Sequence, residues 1–261
     1  MRKKLAALRA VFIIVLISAL LCSCAAKKKK VRSADDLDGS AVGVLTGTAA
    51  AGLEDELSAL GASLAPYSSM PAMKADLKSG NIDCIITDAA ISGKIDRGLS
   101  IKTLDEPFSE KDYSIITAKE NADLIRAING ALNTLTENGT KDAIVESYIN
   151  GGDYRYETSP DKAAAEFSLS VAVVPGDMPY AFLDENGEWT GLDIDLARAV
   201  CDILGAEMTV REEPKGELIT AIRSGRADFG MGRLCETDEN RELVEFSDTY
   251  MTSVQVMLVR P

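Results

Sequence analysis

Short β-favouring runs alternate with helical segments along both halves of this sequence, and this alternation restricts the fold more than any other feature. Several of the apolar strand patterns end in turn residues and are followed by a segment with helical spacing. Such a succession favours α/β lobes with largely parallel sheets, in which ligands bind at the carboxyl ends of strands. The strands predicted in this way are 41–45, 82–86, 113–117, 168–174, 208–211 and 227–231.

Helices are predicted from apolar spacing and from end signals. Apolar residues fall on one face of the segment 122–135, and the helix 71–78 starts at a proline and stops at Ser79-Gly80. The acidic segment 184–187 ends in glycine and predicts a hairpin turn, whereas the polar stretch 150–160 predicts a linker. The predicted helices are 52–60, 71–78, 122–135, 192–204 and 217–223.

A basic segment and a short apolar run open the chain and predict export. The apolar run 11–21 is too short to cross a bilayer as a permanent helix. The residues around Cys24 resemble a bacterial lipobox, which predicts a signal peptide at 1–23 and lasting lipid attachment through Cys24. The alternatives are an uncleaved signal anchor and an ordinary secretory peptide. Residues 24–34 would then form a basic tether that carries four consecutive lysines.

The charge balance argues against nucleic acid as a partner. The full chain has 28 Lys+Arg against 41 Asp+Glu, and removal of residues 1–23 leaves 24 against 41. A net charge near −17 repels phosphate backbones and broad anionic membrane surfaces. The lysine tether is the exception, because it would lie beside the lipid and attract anionic headgroups.

Histidine is absent from the sequence, and this restricts the available chemistry. Its absence excludes Ser-His-Asp and Cys-His nucleophile activation and imidazole metal ligation, while lysine- and carboxylate-based chemistry stays open. Cys84 lies in an apolar run and is expected in the core. Cys201 and Cys235 could form a disulfide in an oxidising compartment. No spacing indicates a metal cluster, so the sequence predicts neither a metal nor a cofactor.

Several segments of the second half together resemble a known family. The segments are PYAFLDENG at 179–187, GLDIDLA at 191–197, LITAIRSGRAD at 218–228 and VEFSD at 244–248. They make residues 171–261 similar to the first lobe of bacterial extracellular solute-binding proteins of family 3, the polar amino-acid receptors of ABC importers. Residues 35–150 resemble the remainder of the family, through DLDG at 36–39, VGV at 42–44, TGT at 46–48 and ENGT at 137–140. The resemblance implies a two-lobed α/β clamshell of the periplasmic-binding-protein type 2.

The order of these two blocks is reversed relative to the family. The chain therefore resembles a circular permutant with nearly continuous lobes at 35–112 and 113–261, in which residues 150–167 join the old termini. One covalent crossing near 112–115 is expected to remain, and the loss of the other is expected to weaken coupling between the lobes. The alternative is a tandem of two unrelated fragments.

The family resemblance assigns ligand-binding roles in the block 35–150. Asp88 aligns with the carboxylate that grips the ligand ammonium, although it could instead cap the helix that follows. Thr48, Ala49 and Ala50 align with the loop whose backbone amides receive the ligand carboxylate, or they simply begin a helix.

The block 171–261 departs from the family at its ligand-binding positions. Asn240 stands where the family has its carboxylate-binding arginine, and Arg233 is either its replacement or a salt-bridge residue. Cys235 takes a neighbouring hydroxyl position. Asp177 and Lys215 take two aromatic positions and could read a polar ligand or lie on the rim. The aromatic residues at 180, 182 and 189 are expected to pack in a hairpin, and the aspartates at 193 and 195 to be solvated or to cap a helix.

The resemblance implies a monomeric, membrane-anchored receptor on the outer face of the bacterial cytoplasmic membrane. Its ligand would be a small polar amine-bearing solute, an amino acid or a related compound, which it would deliver to an ABC permease. A sensor or degenerate binding shell without a transport role is the alternative. A dehydratase-like enzyme on the same fold is more remote, because no acid–base pair is evident.

Overall fold

The described strands form one large sheet and a small hairpin, in a computed structural model that describes residues 29–46, 53–95, 101–158, 165 and 167–261. The strands are β1 (Ala41–Leu45), β2 (Ser63–Tyr67), β3 (Cys84–Asp88), β4 (Lys102–Thr103), β5 (Ser109–Thr117), β6 (Phe167–Val173), β7 (Phe182–Leu183), β8 (Trp189–Thr190), β9 (Ala206–Glu212), β10 (Phe229–Leu234) and β11 (Glu245–Val259). The helices are α1 (Glu54–Ala59), α2 (Met70–Ser79), α3 (Ala89–Ile95), α4 (Ala122–Glu137), α5 (Thr140–Asn150), α6 (Leu192–Leu204), α7 (Leu218–Arg223) and α8 (Asp238–Arg241).

The large sheet consists of two parallel groups joined by two antiparallel strands. Its order is β2-β1-β3-β11-β5-β10-β6-β9, with β4 paired to β11. The first parallel group contains β2, β1 and β3, and the second contains β10, β6 and β9. The bridging strands β11 and β5 run antiparallel to each other and to the groups that they flank. The predicted α/β class with largely parallel sheets is confirmed.

Strand β11 is longer than the sequence patterns indicate. Because of its length, the expectation of a single crossing between the two lobes is wrong. Its residues 245–255 pair with β5, whereas residues 255–259 pair with β3 of the first parallel group. Beyond the strand, the Arg260 guanidinium donates to the carbonyl oxygens of Leu77 (2.7 Å) and Ile82. Both bridging strands therefore cross between the parallel groups, so the expected loss of coupling through a missing strand has no basis in this structure.

The hydrophobic core follows the same division of the sheet. Two clusters lie around the first parallel group and include Cys84, which is fully buried as predicted. The other two surround the second group, and the larger of these also receives α4, α5 and α6. Residues 31–261 form one compact unit. Within the described part of the chain, no helix is both long and apolar enough to span a membrane.

The predicted linker is docked on the helices over its described residues, 151–158. Tyr156 donates through its backbone N–H to Asp195 (3.2 Å) and through its hydroxyl to Asp202 (3.0 Å), both in α6. The guanidinium of Arg155 lies over the ring of Tyr148 at 4.4 Å from its centre. This part of the chain therefore stabilises the packing of α5 against α6 instead of acting as a free tether.

Candidate functional site

Asp88 lies at the end of β3 and joins the two parallel groups through hydrogen bonds. Its side chain is buried, and Oδ2 accepts from the hydroxyls of Tyr113 (2.8 Å) in β5 and Tyr180 (2.6 Å) in the loop after β6. Its Oδ1 accepts from the backbone N–H of Ala90 at 2.9 Å, in the first turn of α3. Burial, and after it the charge of Asp88, raises the pKa of Tyr180, which therefore stays a donor at neutral pH. The capping role is observed, and both carboxylate oxygens are engaged.

Arg233 in β10 forms a buried ion pair with Asp177. Its Nε donates to Asp177 Oδ2 at 2.9 Å and its Nη2 to Oδ1 at 2.7 Å, while its Cζ lies 5.1 Å from the centre of the Tyr180 ring. The backbone of Arg233 has φ 57° and lies where the β10–β5 register shifts, a conformation that a side chain rarely adopts. Burial opposes the charge, but Asp177 and nearby tyrosines outweigh it and raise the pKa of Arg233. Of the two alternatives for this residue, the structure has the salt bridge.

The first turn of α6 fixes the loop that carries Tyr180. The N–H groups of Leu192 and Asp193 donate to the carbonyls of Pro179 and Tyr180, each at 3.0 Å. Gly191 has φ 125°, and a Cβ there would lie 2.1 Å from the Tyr180 carbonyl oxygen. Only glycine permits this approach. The backbone contacts between the PY and GLD segments of the sequence therefore fix the position of the Tyr180 ring.

A second carboxylate and a lysine lie in the same buried environment without complete hydrogen bonding. Asp193 Oδ1 accepts from the Tyr250 hydroxyl at 2.9 Å, whereas its Oδ2 has no partner among the described residues. The Nζ of Lys215 is likewise buried without an acceptor among them. Burial raises the pKa of Asp193 to about 7 and, with the charge of Arg233 second, lowers that of Lys215 to about 7. We call Asp88, Tyr113, Asp177, Tyr180, Asp193, Lys215, Arg233 and Tyr250 the buried polar cluster.

The remaining predicted site residues lie around this cluster or outside the described chain. Cys235 is half-buried, its thiol is free, and burial raises its pKa to about 11. It lines a depression of about 290 Å³ beside the bridging strands, with Lys111, Asp112, Ser114, Glu236, Thr237 and Thr249. Asn240 lies in α8, where its N–H donates to Thr237 Oγ1 at 3.1 Å. Thr48, Ala49, Ala50 and Cys24 lie outside the described residues.

The structure thus brings together Asp88, Asp177, Lys215 and Arg233, and adds residues that sequence reasoning did not place in the site. Asp193 and Asp195 are buried and not solvated, which corrects the expectation for both. Asp195 accepts from Tyr148 and Arg198 and joins α5 to α6. The predicted hairpin is confirmed by the pairing of β7 with β8, and Trp189 packs against the larger core cluster, whereas Tyr180 lies in the buried polar cluster and not in the hairpin. No group of residues that could hold a metal ion is found within the described part of the chain.

Comparisons with known proteins place part of this chain beside solute receptors. Residues 169–261 match the sequence model of a family described as bacterial extracellular solute-binding proteins, family 3, which confirms the resemblance predicted for 171–261. The chain is 27% identical over 96 residues to the arginine-binding protein ArgT of Corynebacterium glutamicum, over 37% of this chain and 32% of the relative. It is 31% identical over 123 residues to the L-cystine-binding protein TcyJ of Escherichia coli, over 46% and 45% of the two chains.

These matches span less than half the length of the curated relatives. Among solved structures, the arginine-bound form of domain 1 from TmArgBP aligns with a TM-score of 0.31 at 27% identity, over 36% of this chain and 79% of that one. The GluR0 ligand-binding core with L-glutamate aligns with a TM-score of 0.42 at 12% identity, over 85% and 84% of the two chains.

Proposed function

We propose that this chain is an extracytoplasmic receptor for a small polar amine-bearing solute, an amino acid or a related compound, and that it supplies an ABC importer. The match of residues 169–261 to a solute-binding family supports the class of function, and relatives named for binding arginine, histidine and cystine support the class of solute. The observation that carries the proposal is the buried polar cluster, where Asp88 of the first parallel group and Arg233 of the second lie against the same tyrosine, Tyr180.

Asp88 is the proposed partner of the solute amine. Its carboxylate now accepts from the hydroxyls of Tyr113 and Tyr180, and an ammonium group would replace one of these donors with a charge-assisted hydrogen bond. Tyr180 lies in the loop after β6 of the second parallel group, whereas Asp88 ends β3 of the first. Release of the Tyr180 hydroxyl from Asp88 would therefore accompany entry of the solute. The amides of residues 48–50 and the side chains of Cys235 and Asn240 are proposed to complete the site.

The cellular setting follows from the N-terminal sequence. Residues 1–23 are proposed to be a lipoprotein signal peptide, with Cys24 as the lipid-carrying residue at the outer face of the bacterial cytoplasmic membrane. The reversed order of the family blocks supports a circular permutation with lobes near 35–112 and 113–261, and the receptor is proposed to be a monomer. Metabolic labelling with a radioactive fatty acid in a bacterial host tests the anchor: the wild type should incorporate the label and Cys24→Ser should not, and equal labelling of the two, or an unlabelled wild type, would disprove lipidation at this residue.

A degenerate binding shell or sensor without transport is the second candidate. The observation in its favour is that Asp88 and Arg233 are already satisfied by internal partners. In a degenerate shell the internal hydrogen bonds would maintain the folded state and no solute would displace them, whereas a sensor would bind the solute without delivering it to a permease.

Thermal unfolding with a panel of solutes separates a ligand-binding receptor from a degenerate shell. A ligand at 100 times its Kd stabilises the native state by about 2.7 kcal/mol, which is readily measured as a rise in Tm. The panel contains L-arginine, L-histidine, L-cystine, L-glutamate and their decarboxylated amines. We expect at least one to raise the Tm of the wild type, and Asp88→Ala to lose that rise while Asp123→Ala, at an exposed carboxylate, keeps it. If no member of the panel raises the wild-type Tm, the receptor proposal is wrong and the shell stands.

A further inference from the structure

Lys215 has a buried charge that the described chain leaves without a hydrogen-bond partner. It begins a short 3-10 turn, Lys215–Glu217, directly after Pro214. The residue as a whole is half-buried, but its Nζ is sealed from solvent and has no acceptor among the described residues. A buried ammonium without an acceptor costs several kcal/mol, so this arrangement favours an anionic group that enters from outside.

The charged and titratable groups around Lys215 do not supply that acceptor. Its electrostatic neighbours are Arg233, Asp177, Asp193 and the thiol of Cys235. Asp177 is committed to the bidentate pair with Arg233 at 2.7 and 2.9 Å. Asp193 faces the Tyr250 hydroxyl with one oxygen, and its other oxygen forms no hydrogen bond to Lys215.

We infer that Lys215 binds the anionic group of the solute, a carboxylate in the case of an amino acid, and so determines specificity for acids over simple amines. This inference rests on the proposed function. Arg233 has the charge for the task, but its planar fork is already occupied by Asp177. Asn240 carries no charge. Lys215 is therefore the cation of the cluster whose donors stay available to a ligand, with respect to the described residues.

Proton uptake is the thermodynamic signature of this role. Burial and Arg233 lower the pKa of Lys215 to about 7, so part of the population is neutral at pH 8. A carboxylate in contact with Nζ raises that pKa, and the complex takes up a proton from the buffer. Calorimetry at pH 8 in two buffers of different ionisation enthalpy measures this uptake.

The decisive experiment compares acids with their decarboxylated amines. L-arginine with agmatine, L-histidine with histamine and L-cystine with cystamine are each titrated into wild type, Lys215→Met and the control Lys102→Met, an exposed lysine in β4. We expect Lys215→Met to weaken binding of the acid by about 10- to 100-fold, as for a lost hydrogen bond to a charged group. It should leave the weaker amine unchanged and abolish the proton uptake, whereas Lys102→Met should match the wild type.

The possible failures of this experiment are distinguishable. If the wild type binds none of the acids, the receptor proposal fails and the role of Lys215 fails with it. If the wild type binds an acid and Lys215→Met binds it equally well, or loses acid and amine alike, the receptor stands and the role of Lys215 is overturned. Met removes a buried charge without leaving a large cavity, and an unchanged or higher Tm of the ligand-free variant shows that it is folded.

Discussion

Asp88 accepts several hydrogen bonds where the two parallel groups of the sheet meet. Three donors converge on its two oxygens, and a buried acceptor that loses a charge leaves some of these donors poorly paired. We expect Asp88→Asn to lower the free energy of unfolding by about 2 kcal/mol, since hydrogen bonds to a charged group are each worth about 1.5–3 kcal/mol. Urea unfolding monitored by circular dichroism measures the change.

A companion variant removes one of the three donors to Asp88, and an exposed carboxylate provides the control. Tyr180→Phe keeps the ring under Arg233 and deletes only the hydroxyl, so we expect a loss of about 1 kcal/mol. An exposed carboxylate variant, Asp123→Asn, should change stability by less than about 0.5 kcal/mol. An Asp88→Asn protein as stable as the wild type would contradict the role of Asp88 as a hub.

Asp193 and Lys215 predict opposite pH dependences of stability. The pKa of Asp193 is raised to about 7, so between about pH 4 and 7 the native state keeps a proton that the unfolded chain has lost, and stability falls as pH rises. The pKa of Lys215 is lowered to about 7, so between about pH 7 and 10 the unfolded chain binds the extra proton, and stability rises with pH. Each contributes a slope of up to about 1.4 kcal/mol per pH unit.

Difference curves isolate these two groups from the other titrating residues. Relative to the wild type, Asp193→Asn should remove the falling limb below pH 7, and Lys215→Met should remove the rising limb above it. Urea unfolding at unit intervals from pH 5 to 9 provides the curves. Difference curves that stay flat over both ranges would show that neither group titrates differently in the two states.

Sequence reasoning reached the charged residues of the site but not the contacts between them. Asp88 is predicted from its alignment with the ammonium-binding carboxylate of the family, and the sequence alone leaves Arg233 as either a ligand group or a salt-bridge residue. The pairing of Tyr180 with Asp88 joins residues 92 positions apart, and no local pattern reports it. Asp193 was misjudged because aspartates near a helix start usually cap or meet water, whereas the burial of almost every neighbour in α6 encloses this one.

At the scale of elements, patterns predict most strands and helices of the two parallel groups but miss β2, the helix α5 and the length of β11. The helix at 192–204 was predicted with the bounds observed, because Gly205 ends it and its apolar face is unbroken. Strand β2 contains Pro66, which a central strand excludes but which the edge position of β2 tolerates. The length of β11 follows from pairing first with β5 and then with β3, which no single segment encodes.

The end of β11 is held by Arg260, and this contact predicts a stability effect far from the site. Its guanidinium satisfies the carbonyl oxygens of Leu77, in the last turn of α2, and of Ile82, and it pairs with Asp83. We expect Arg260→Ala to lower the free energy of unfolding by about 2 kcal/mol, because it removes charge-assisted hydrogen bonds to two carbonyl groups and the pair with Asp83. The exposed pair of Arg241 with Glu236 gives the control: Arg241→Ala should cost less than about 0.5 kcal/mol in the same urea titration. Equal effects of the two variants would argue against a structural role for the C-terminal contact.

At the scale of the whole molecule, the strand order makes the two parts of the sequence interdependent. Strands β3 and β5 belong to the part before residue 159, yet β11 from the other part lies between them. A fragment of residues 31–158 therefore has no neighbour for β5, and a fragment of 165–261 has no partner for β11. Each fragment retains one parallel group but exposes long unpaired strands, and the separation also removes α4 and α5 from the core of the second group, so neither fragment is expected to unfold cooperatively alone.

Mixing the two fragments should restore the sheet. Insertion of β11 between β3 and β5 recovers pairing along its length, and the buried polar cluster forms again from Asp88 and Tyr113 on one fragment and Tyr180 on the other. We expect a one-to-one complex by size-exclusion chromatography with cooperative thermal unfolding, and a weaker complex when the second fragment stops at Val254, because it then pairs with β5 but lacks the residues that pair with β3. If the two fragments fold independently and do not associate, the parallel groups are autonomous folding units. The bridging strands would then contribute little to the stability of the whole molecule.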